Sequence, residues 1–324
     1  MKNIAIIGAG GLGARHLQAI AQIDISITIQ VMDISTESLI KAKELYEQVP
    51  HENIKRIEFL TDLSALEQTF DIVIIATPSK PRFQIIKELL HTKKIEFLVL
   101  EKVLFPRLSE YDEIGTLLNE KNCTAWVNCP RRMWQSYIQL KKQINQQNIE
   151  FTLTGSNWGL GCNSIHYIDL IAYLTGSADS FECDHSNLDS GYIQSKRDGY
   201  IEFTGTLTGK SAKCTHFCLT SSKDDETPST LVITSKNARI KIHEDLQKAY
   251  ISHKETNWQH EEVTFDTPYQ SQLSDKLVSD IIKTGTCQLT PYHESAKLQK
   301  AILGAFLLHL KKESGKDVHE CMIT

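Results

Sequence analysis

The 324-residue chain lacks several features that would narrow its function at once. No apolar run approaches the ~18 residues needed to cross a bilayer, so no membrane span is expected. No basic tract reaches five residues, and the formal net charge is −5. Nucleic acid and anionic membranes are therefore not expected as partners. The eight cysteines, at 123, 129, 162, 183, 214, 218, 287 and 321, form no C-x-x-C pair. The nearest grouping, Cys214, His216 and Cys218 in "CTHFC", has no fourth ligand at a suitable spacing. Structural zinc takes four ligands, so these read as half-buried strand residues and no metal is expected. A reducing cytoplasm suits this cysteine usage. Internal repeats, low-complexity segments and an obvious flexible linker are also missing. The opening "MKNIAIIGAGG" runs into glycines instead of a signal-cleavage pattern, so it reads as a core strand.

What is present is ordinary in bulk and specific in pattern. The residues are 41% hydrophobic and 23% charged, normal for a globular protein, and the length allows two domains. The first third alternates strand and helix: "NIAIIG", "GARHLQAIAQ", "ISITIQVMD", "TESLIKAKELYEQ", "RIEFLT", "FDIVIIATP", "FQIIKELLHTK", "EFLVLEK" and "TAWVNC". "FDIVIIA" is nearly continuous apolar chain, as in a parallel strand buried on both faces. Such alternation implies a parallel sheet with right-handed crossovers. Ser109 and Asp112 have capping-box spacing, which predicts that a helix opens there. Beyond about residue 148 the pattern changes. Period-2 segments dominate from Ser180 to about Pro268, as in an antiparallel sheet. Two helices close the chain. One stops at Gly285, and Thr290 and Pro291 are read as N-cap and first residue of the other. The expected fold is α/β: an N-terminal Rossmann doubly wound parallel sheet, residues 1–128, plus a C-terminal α+β domain with an open, mainly antiparallel sheet, residues 129–324.

"IIGAGGLGARH" places Gly8, Gly10 and Gly13 in G-x-G-x-x-G register. That spacing alone is weak. Here it follows a predicted strand and opens a predicted helix, and Asp33 ends the next strand twenty residues beyond Gly13. Gly8 allows the tight turn, Gly10 lets backbone approach a pyrophosphate, and Gly13 lets helix and strand pack closely. The loop, Gly8, Gly10, Gly11, Leu12 and Gly13, then turns backbone N–H groups and a helix dipole toward phosphates. Asp33 accepts from the adenosine ribose and repels a 2′-phosphate, which favours NAD over NADP.

Ligands of such sheets lie beyond the carboxyl ends of the strands. Those ends carry Thr77 and Pro78, Glu101 and Lys102, and Asn128 before "CPRRMW". Arg131 and Arg132 leave the last of these strands; they either grip a carboxylate or phosphate or serve as an interdomain pair. Further on, "NWGLGCNSIHYIDLIAYLTG" (157–176) is apolar nearly all round as a helix, hence buried. Yet His166, Asp169 and Tyr173 share one stripe of it. Trp158, just before it, either stacks on a sugar face or packs.

Taken in order, Gly8-x-Gly10-x-x-Gly13, "ATP" at 76–78, Glu101-Lys102, the Arg131-Arg132 loop and a helical His166 after a strand resemble the Gfo/Idh/MocA family over nearly the full length. That family is named for glucose–fructose oxidoreductase, inositol dehydrogenase and a rhizopine-catabolism protein. The resemblance implies an NAD(P)-dependent oxidoreductase acting on a secondary hydroxyl of a sugar, cyclitol or nucleotide sugar; some relatives serve surface-polysaccharide sugar pathways. It implies cofactor contacts from the glycine loop, Asp33, Thr77, Pro78, Glu101 and Lys102, and substrate contacts near Arg131, Arg132, Trp158 and Cys162. An exposed sheet face in such a second domain implies a homodimer or homotetramer. Two positions depart from the family pattern. Val103 stands where proline usually follows Glu-Lys. Cys162 stands where an aspartate usually precedes the helical histidine, and a thiol carries no charge near neutral pH unless its pKa is lowered.

The resemblance sets His166 over the nicotinamide with Lys102 nearby. Alcohol oxidation removes a hydride from carbon and a proton from oxygen, so a base must reach the hydroxyl. Histidine titrates near ~6.5, close to working pH. Lysine, near ~10.4, must be depressed to serve as base. The expected assignment is His166 as acid/base and Lys102 as hydrogen-bond donor to the reacting oxygen; the reverse stays open. Asp169 either orients His166 or packs, and Tyr173 reads as core. Two other functions stay open: hydrolysis or epimerisation with transiently reduced NAD, and a non-catalytic NAD-binding regulator.

Overall fold

The computed structural model describes residues 1–223 and 226–324. The chain forms two compact units. One comprises Met1–Phe105, Ser109–Pro130 and Pro268–Tyr292; the other comprises Pro106–Leu108, Arg131–Thr267 and His293–Thr324.

The first unit alternates as the sequence pattern predicts: β1 (Lys2–Ile7), α1 (Gly11–Ile20), β2 (Ile27–Met32), α2 (Thr36–Glu47), β3 (Ile54–Leu60), β4 (Thr69–Ile75), α3 (Ser79–Thr92), β5 (Lys94–Leu100), α4 (Leu108–Glu120) and β6 (Thr124–Val127). The six strands are parallel, in the order β6-β5-β4-β1-β2-β3. This is the doubly wound order whose strand sequence reverses beside β1. The apolar runs Ile4, Ala5, Ile6, Ile7 and Ile72, Val73, Ile74, Ile75 are fully buried, as central strands covered on both faces must be. Ser35 caps α2 by accepting from the Ser38 amide. The Ser109 capping box does not form, because α4 already begins at Leu108 and Ser109 lies inside its first turn.

In the second unit α5 (Gln135–Ile144) and β7 (Ile149–Ser156) precede the buried helix α6 (Leu160–Thr175). Then follow β8 (Glu182–Leu188), β9 (Ile193–Gln194), β10 (Ile201–Glu202), β11 (Gly205–Lys210), β12 (Cys214–Ser222), β13 (Thr230–Ser235), β14 (Ala238–His243), β15 (Lys248–His253) and β16 (His260–Thr264). Eight of these strands form one sheet, β16-β15-β14-β13-β7-β12-β11-β8. Only the β7–β12 pairing in it is parallel. The stretch "GYIEFTGTLTG" is two strands: Phe203 and Thr204 separate β10 from β11, which opens on Gly205 at φ +90°, and β10 pairs with β9 in a small ribbon of its own. Alternation is clean where one face is covered; Ala238, Ile240 and Ile242 of β14 are buried while Arg239 and Lys241 are exposed.

The chain then returns to the first unit with α7 (Ser274–Thr284), ended as expected by Gly285 at φ +71°. Thr290 and Pro291 do not cap the last helix. They form β17 (Thr290–Pro291), which pairs antiparallel with β6 and extends the first sheet. α8 (Tyr292–Ser314) follows directly.

Candidate active site

The glycine loop is shaped by contacts only glycine permits. Gly8 sits at φ +95°, and a Cβ there would lie 2.9 Å from Ala76 backbone carbon. A Cβ on Gly13 would fall onto the Gly8 carbonyl oxygen, so α1 packs against the β1 turn backbone to backbone. Gly10 and Gly11 differ: both are exposed, and a Cβ on either meets nothing within 4 Å. Gly10 is the N-cap of α1 and brings no side-chain cap, so the first amides of α1 are uncapped by side chains there. Leu12, half-buried, follows in the first turn. Asp33, at the end of β2, ties the loop down: Oδ2 accepts from the Ala9 amide at 2.6 Å and Oδ1 from the Ser35 amide at 2.8 Å. Each carboxylate oxygen keeps a lone pair for a ligand hydroxyl. At the end of β4 the Thr77 hydroxyl is buried and makes no hydrogen bond among the described residues. Pro78 starts α3. An open loop over uncapped amides, a carboxylate at the next strand and an orphan hydroxyl fit a dinucleotide.

The end of β5 is built differently. Glu101 is buried and belongs to a closed ring of side chains. His16 of α1 places Nε2 2.9 Å from Glu101 Oε1 and Nδ1 2.8 Å from Ser274 Oγ. Asn128 donates to Glu101 Oε1 at 2.5 Å and to Gln270 Oε1 at 2.9 Å. Gln270 donates to Ser274 Oγ at 2.9 Å, which closes the ring. Burial pushes the Glu101 carboxyl up, but the hydrogen bond and charge of His16, the Asn128 amide and the Arg82 guanidinium prevail, and it titrates below the ordinary range. Glu101 is thus the hub of a buried polar frame. Lys102 follows it, half-buried, and the Lys102–Val103 peptide is cis. On the far side the buried Arg82 donates to the carbonyls of Val103 and Leu104 and to that of Thr77. The lysine backbone is held from both directions.

In the second unit α6 carries the polar stripe, and much of it has internal partners. Asp169, fully buried, accepts from Arg132 Nε at 2.7 Å. Tyr173 receives two cations on its ring, Arg132 at 5.5 Å and Lys141 at 4.0 Å. His166 is half-buried. The helix start has an unforeseen partner. Glu202 of β10 accepts from the amides of Gly161 at 2.6 Å and Cys162 at 3.0 Å, so one carboxylate caps α6 where Gly159 brings no capping side chain. The Cys162 thiol lies 3.7 Å from the Gly159 carbonyl. Trp158 donates from its indole to Thr220 O at 2.7 Å and meets Tyr167 edge-on, which is a packing geometry.

Arg131 forms a bidentate pair with Glu244, Nε to Oε1 at 2.8 Å and Nη2 to Oε2 at 2.6 Å. Its guanidinium lies over the rings of Trp134 and Tyr167, and Tyr137 donates to Glu244 at 2.5 Å. Burial pushes the Glu244 carboxyl up, but the Arg131 charge and hydrogen bonds hold it lowered. Burial drives the Tyr167 phenol up to about 12. Gly8 to Gly13, Asp33, Thr77, Pro78, Glu101 and Lys102 therefore gather at the carboxyl ends of neighbouring strands of one sheet. Arg131, Arg132, Trp158, Cys162 and His166 belong to the second unit. The residues sequence reasoning missed are His16, Glu202 and Glu244, whose partners lie 85, 41 and 113 positions away. Only Gly159, a helix start without a capping side chain, hinted at one of them.

Residues 2–129 match the family model described as oxidoreductase family, NAD-binding Rossmann fold. By that match the N-terminal part of the chain belongs to the Gfo/Idh/MocA family. NAD is accordingly the cofactor of the first unit, and the loop geometry fits it. No curated protein matches the chain significantly. Among solved structures, UDP-N-acetylglucosamine 3-dehydrogenase GnnA from Acidithiobacillus ferrooxidans is 16% identical, with 94% of this chain and 96% of that one covered and a TM-score of 0.72. An Agrobacterium radiobacter oxidoreductase in complex with NAD⁺, L-tartaric acid and magnesium is 14% identical, with 98% of each chain covered and a TM-score of 0.71. A super-repressor mutant of Gal80p from Saccharomyces cerevisiae is also 14% identical, with 96% of each covered and a TM-score of 0.71. At such identities the likeness is one of fold. Among the described residues no helix is long and apolar enough to cross a membrane.

Proposed function

We propose that the protein is an NAD-dependent dehydrogenase of a secondary hydroxyl on a sugar, cyclitol or nucleotide sugar. The observation that carries this is the open glycine loop beside Asp33 and the orphan Thr77 hydroxyl, in a chain whose N-terminal part is of an oxidoreductase family. The name of the similar Acidithiobacillus ferrooxidans enzyme supports a nucleotide sugar as substrate, and a place in surface-polysaccharide sugar metabolism rests on the family resemblance alone. NAD, when bound, accepts the hydride. His166 takes the hydroxyl proton, and Lys102, held by the Glu101 frame and the Arg82 clamp, hydrogen-bonds the reacting oxygen. Asp33 sets the preference for NAD over NADP. Arg131 and Arg132 act as framework, since their forks hold Glu244 and Asp169.

The test is NADH formation with a panel of sugars, cyclitols and nucleotide sugars, with NADP in parallel. His166→Ala is expected to cut turnover ~100-fold or more with NAD binding intact. Unchanged turnover removes His166 from the mechanism, and a larger loss in Lys102→Ala reverses the two roles. A second reading, an NAD-binding regulator without turnover, is favoured by one feature, Cys162 on α6 where the family pattern has an aspartate. Tight NAD binding with silence across the panel supports it; product without NADH supports transient redox. The assembly we propose is a homodimer or homotetramer through the exposed face of the eight-stranded sheet, where Val232 lies open. Light scattering that gives a monomer refutes it. The eight free thiols suit the cytoplasm.

A further inference from the structure

The second unit contains a cavity of about 230 Å³ whose chemistry narrows the substrate class. Its apolar side is one cross-strand row: Leu153 of β7 opposite Leu231 of β13, which is opposite Ile242 of β14. Its polar side is Tyr167, Ser229, Glu244 and Asp245. Tyr167 is the neighbour of His166 on α6.

Each polar group has a definite disposition. The Tyr167 oxygen already accepts from Arg131 Nη2 at 3.1 Å, so its own O–H proton is available to an incoming acceptor. Burial keeps that proton on the phenol, with its pKa up to about 12. Glu244 is held ionised beside Arg131, and Asp245 is exposed at the rim, so both charged groups lining the cavity are carboxylates. The nearby cation cannot serve an anionic ligand cheaply, since Arg131 spends three N–H donors on Glu244 and Tyr167. Ser229 adds a hydroxyl that donates and accepts. The volume is below the roughly 300–1,000 Å³ of sites for whole drug-sized ligands, and so suits one ring of a larger molecule.

We propose that this cavity receives one uncharged, hydroxyl-bearing ring of the substrate and rejects a carboxylate or phosphate at that position. The assignment rests on the carbohydrate reading above. A hydroxylated ring supplies donors to the two carboxylates, an acceptor to Tyr167, and an apolar C–H face to the leucine–isoleucine row. Carboxylate-bearing rings would face two negative charges with no unspent cation lining the space.

The experiment uses the full chain saturated with NAD and reads ligand-observed NMR binding of three probes: myo-inositol, N-acetyl-D-glucosamine and D-glucuronate. At least one neutral probe is expected to bind tenfold or more tightly than D-glucuronate. Asp245→Lys, at an exposed position, is expected to erode that preference about tenfold. Ser229→Trp fills the cavity and is expected to abolish neutral-probe binding while NAD affinity stays within twofold. D-Glucuronate binding as tightly as the neutral probes, no binding by either neutral probe, or binding that survives Ser229→Trp each overturns the proposal. Failure of NADH formation with probe binding preserved overturns the dehydrogenase reading and leaves the cavity assignment standing.

Discussion

His16→Ala is the most informative perturbation of the first unit. The imidazole joins Glu101 at 2.9 Å and Ser274 at 2.8 Å, and none of its surface is exposed. Its removal leaves a buried carboxylate with Asn128 as its remaining partner in the ring, and a buried serine hydroxyl short of one. Removing the partner of a buried carboxylate leaves that charge poorly compensated, which costs about 3–5 kcal/mol. The frame spans α1, β5, β6 and α7, so that loss falls on the elements that hold the glycine loop and Lys102. Hydrogen exchange reads it locally: at tenfold per 1.4 kcal/mol, amides of β5 should exchange about 140- to 3,700-fold faster than in the parent protein. Glu101→Gln supplies the second arm. If the two residues act through one another, the double variant costs little more than the worse single, with a coupling of at least about 1 kcal/mol. The pair also sets a pH dependence. The folded Glu101 carboxyl titrates below its unfolded value, so between the two values the unfolded chain binds more protons. The stabilisation is complete above the ordinary glutamate range near ~4.3 and is lost as pH falls through the lowered folded value. His16→Ala should flatten that acid limb. A cost under ~1 kcal/mol, or strict additivity with Glu101→Gln, would show that the ring stabilises nothing beyond its separate members.

The glycines of the loop should separate into two classes. Gly13→Ala drives a methyl into the Gly8 carbonyl and should lower the thermal midpoint by several degrees, whereas Gly10→Ala, in open space, should leave it unchanged and weaken NAD binding about tenfold. Equal effects in both assays would contradict this division. Glu202→Gln keeps one acceptor for two amides at the start of α6, so a loss of about 1–2 kcal/mol by thermal unfolding is expected, and Glu202→Ala should lose more.

What the sequence made legible followed from local rules. Continuous apolar strands, glycine register and period-2 segments have causes within about ten residues, so the parallel sheet, the loop and the mainly antiparallel second sheet were readable. Thr290 and Pro291 show the limit. Their residue types satisfy the helix-start rule, yet the chain pairs them with β6, because an edge strand with open hydrogen-bonding groups lies within reach. Ser109 fails in the same way, since α4 gains a residue before the expected cap. The stripe on α6 was visible as an anomaly but its explanation was not. Arg132 finds Asp169 across 37 positions, and no periodicity records such a distance.

Those long-range pairs share one logic that bears on function. Asp33, Glu101, Glu202 and Glu244 each direct a carboxylate at groups of the protein itself: two loop amides, a histidine and an asparagine, two helix amides, an arginine and a tyrosine. Inside a low-dielectric interior an incompletely paired acid is costly, so each of these positions is fixed by its donors and in turn fixes them. The segments so held are the glycine loop, the backbone before Lys102, the start of the helix bearing His166, and the wall beside Tyr167. An oxidoreductase gains from that arrangement because transfer chemistry demands placement to a fraction of an ångström, and side chains locked by buried partners lose no freedom when a ligand arrives. In each of the four acids the donors hold the carboxylate in place, and the lone pairs left over on Asp33 and Glu244 can still accept from a ligand hydroxyl.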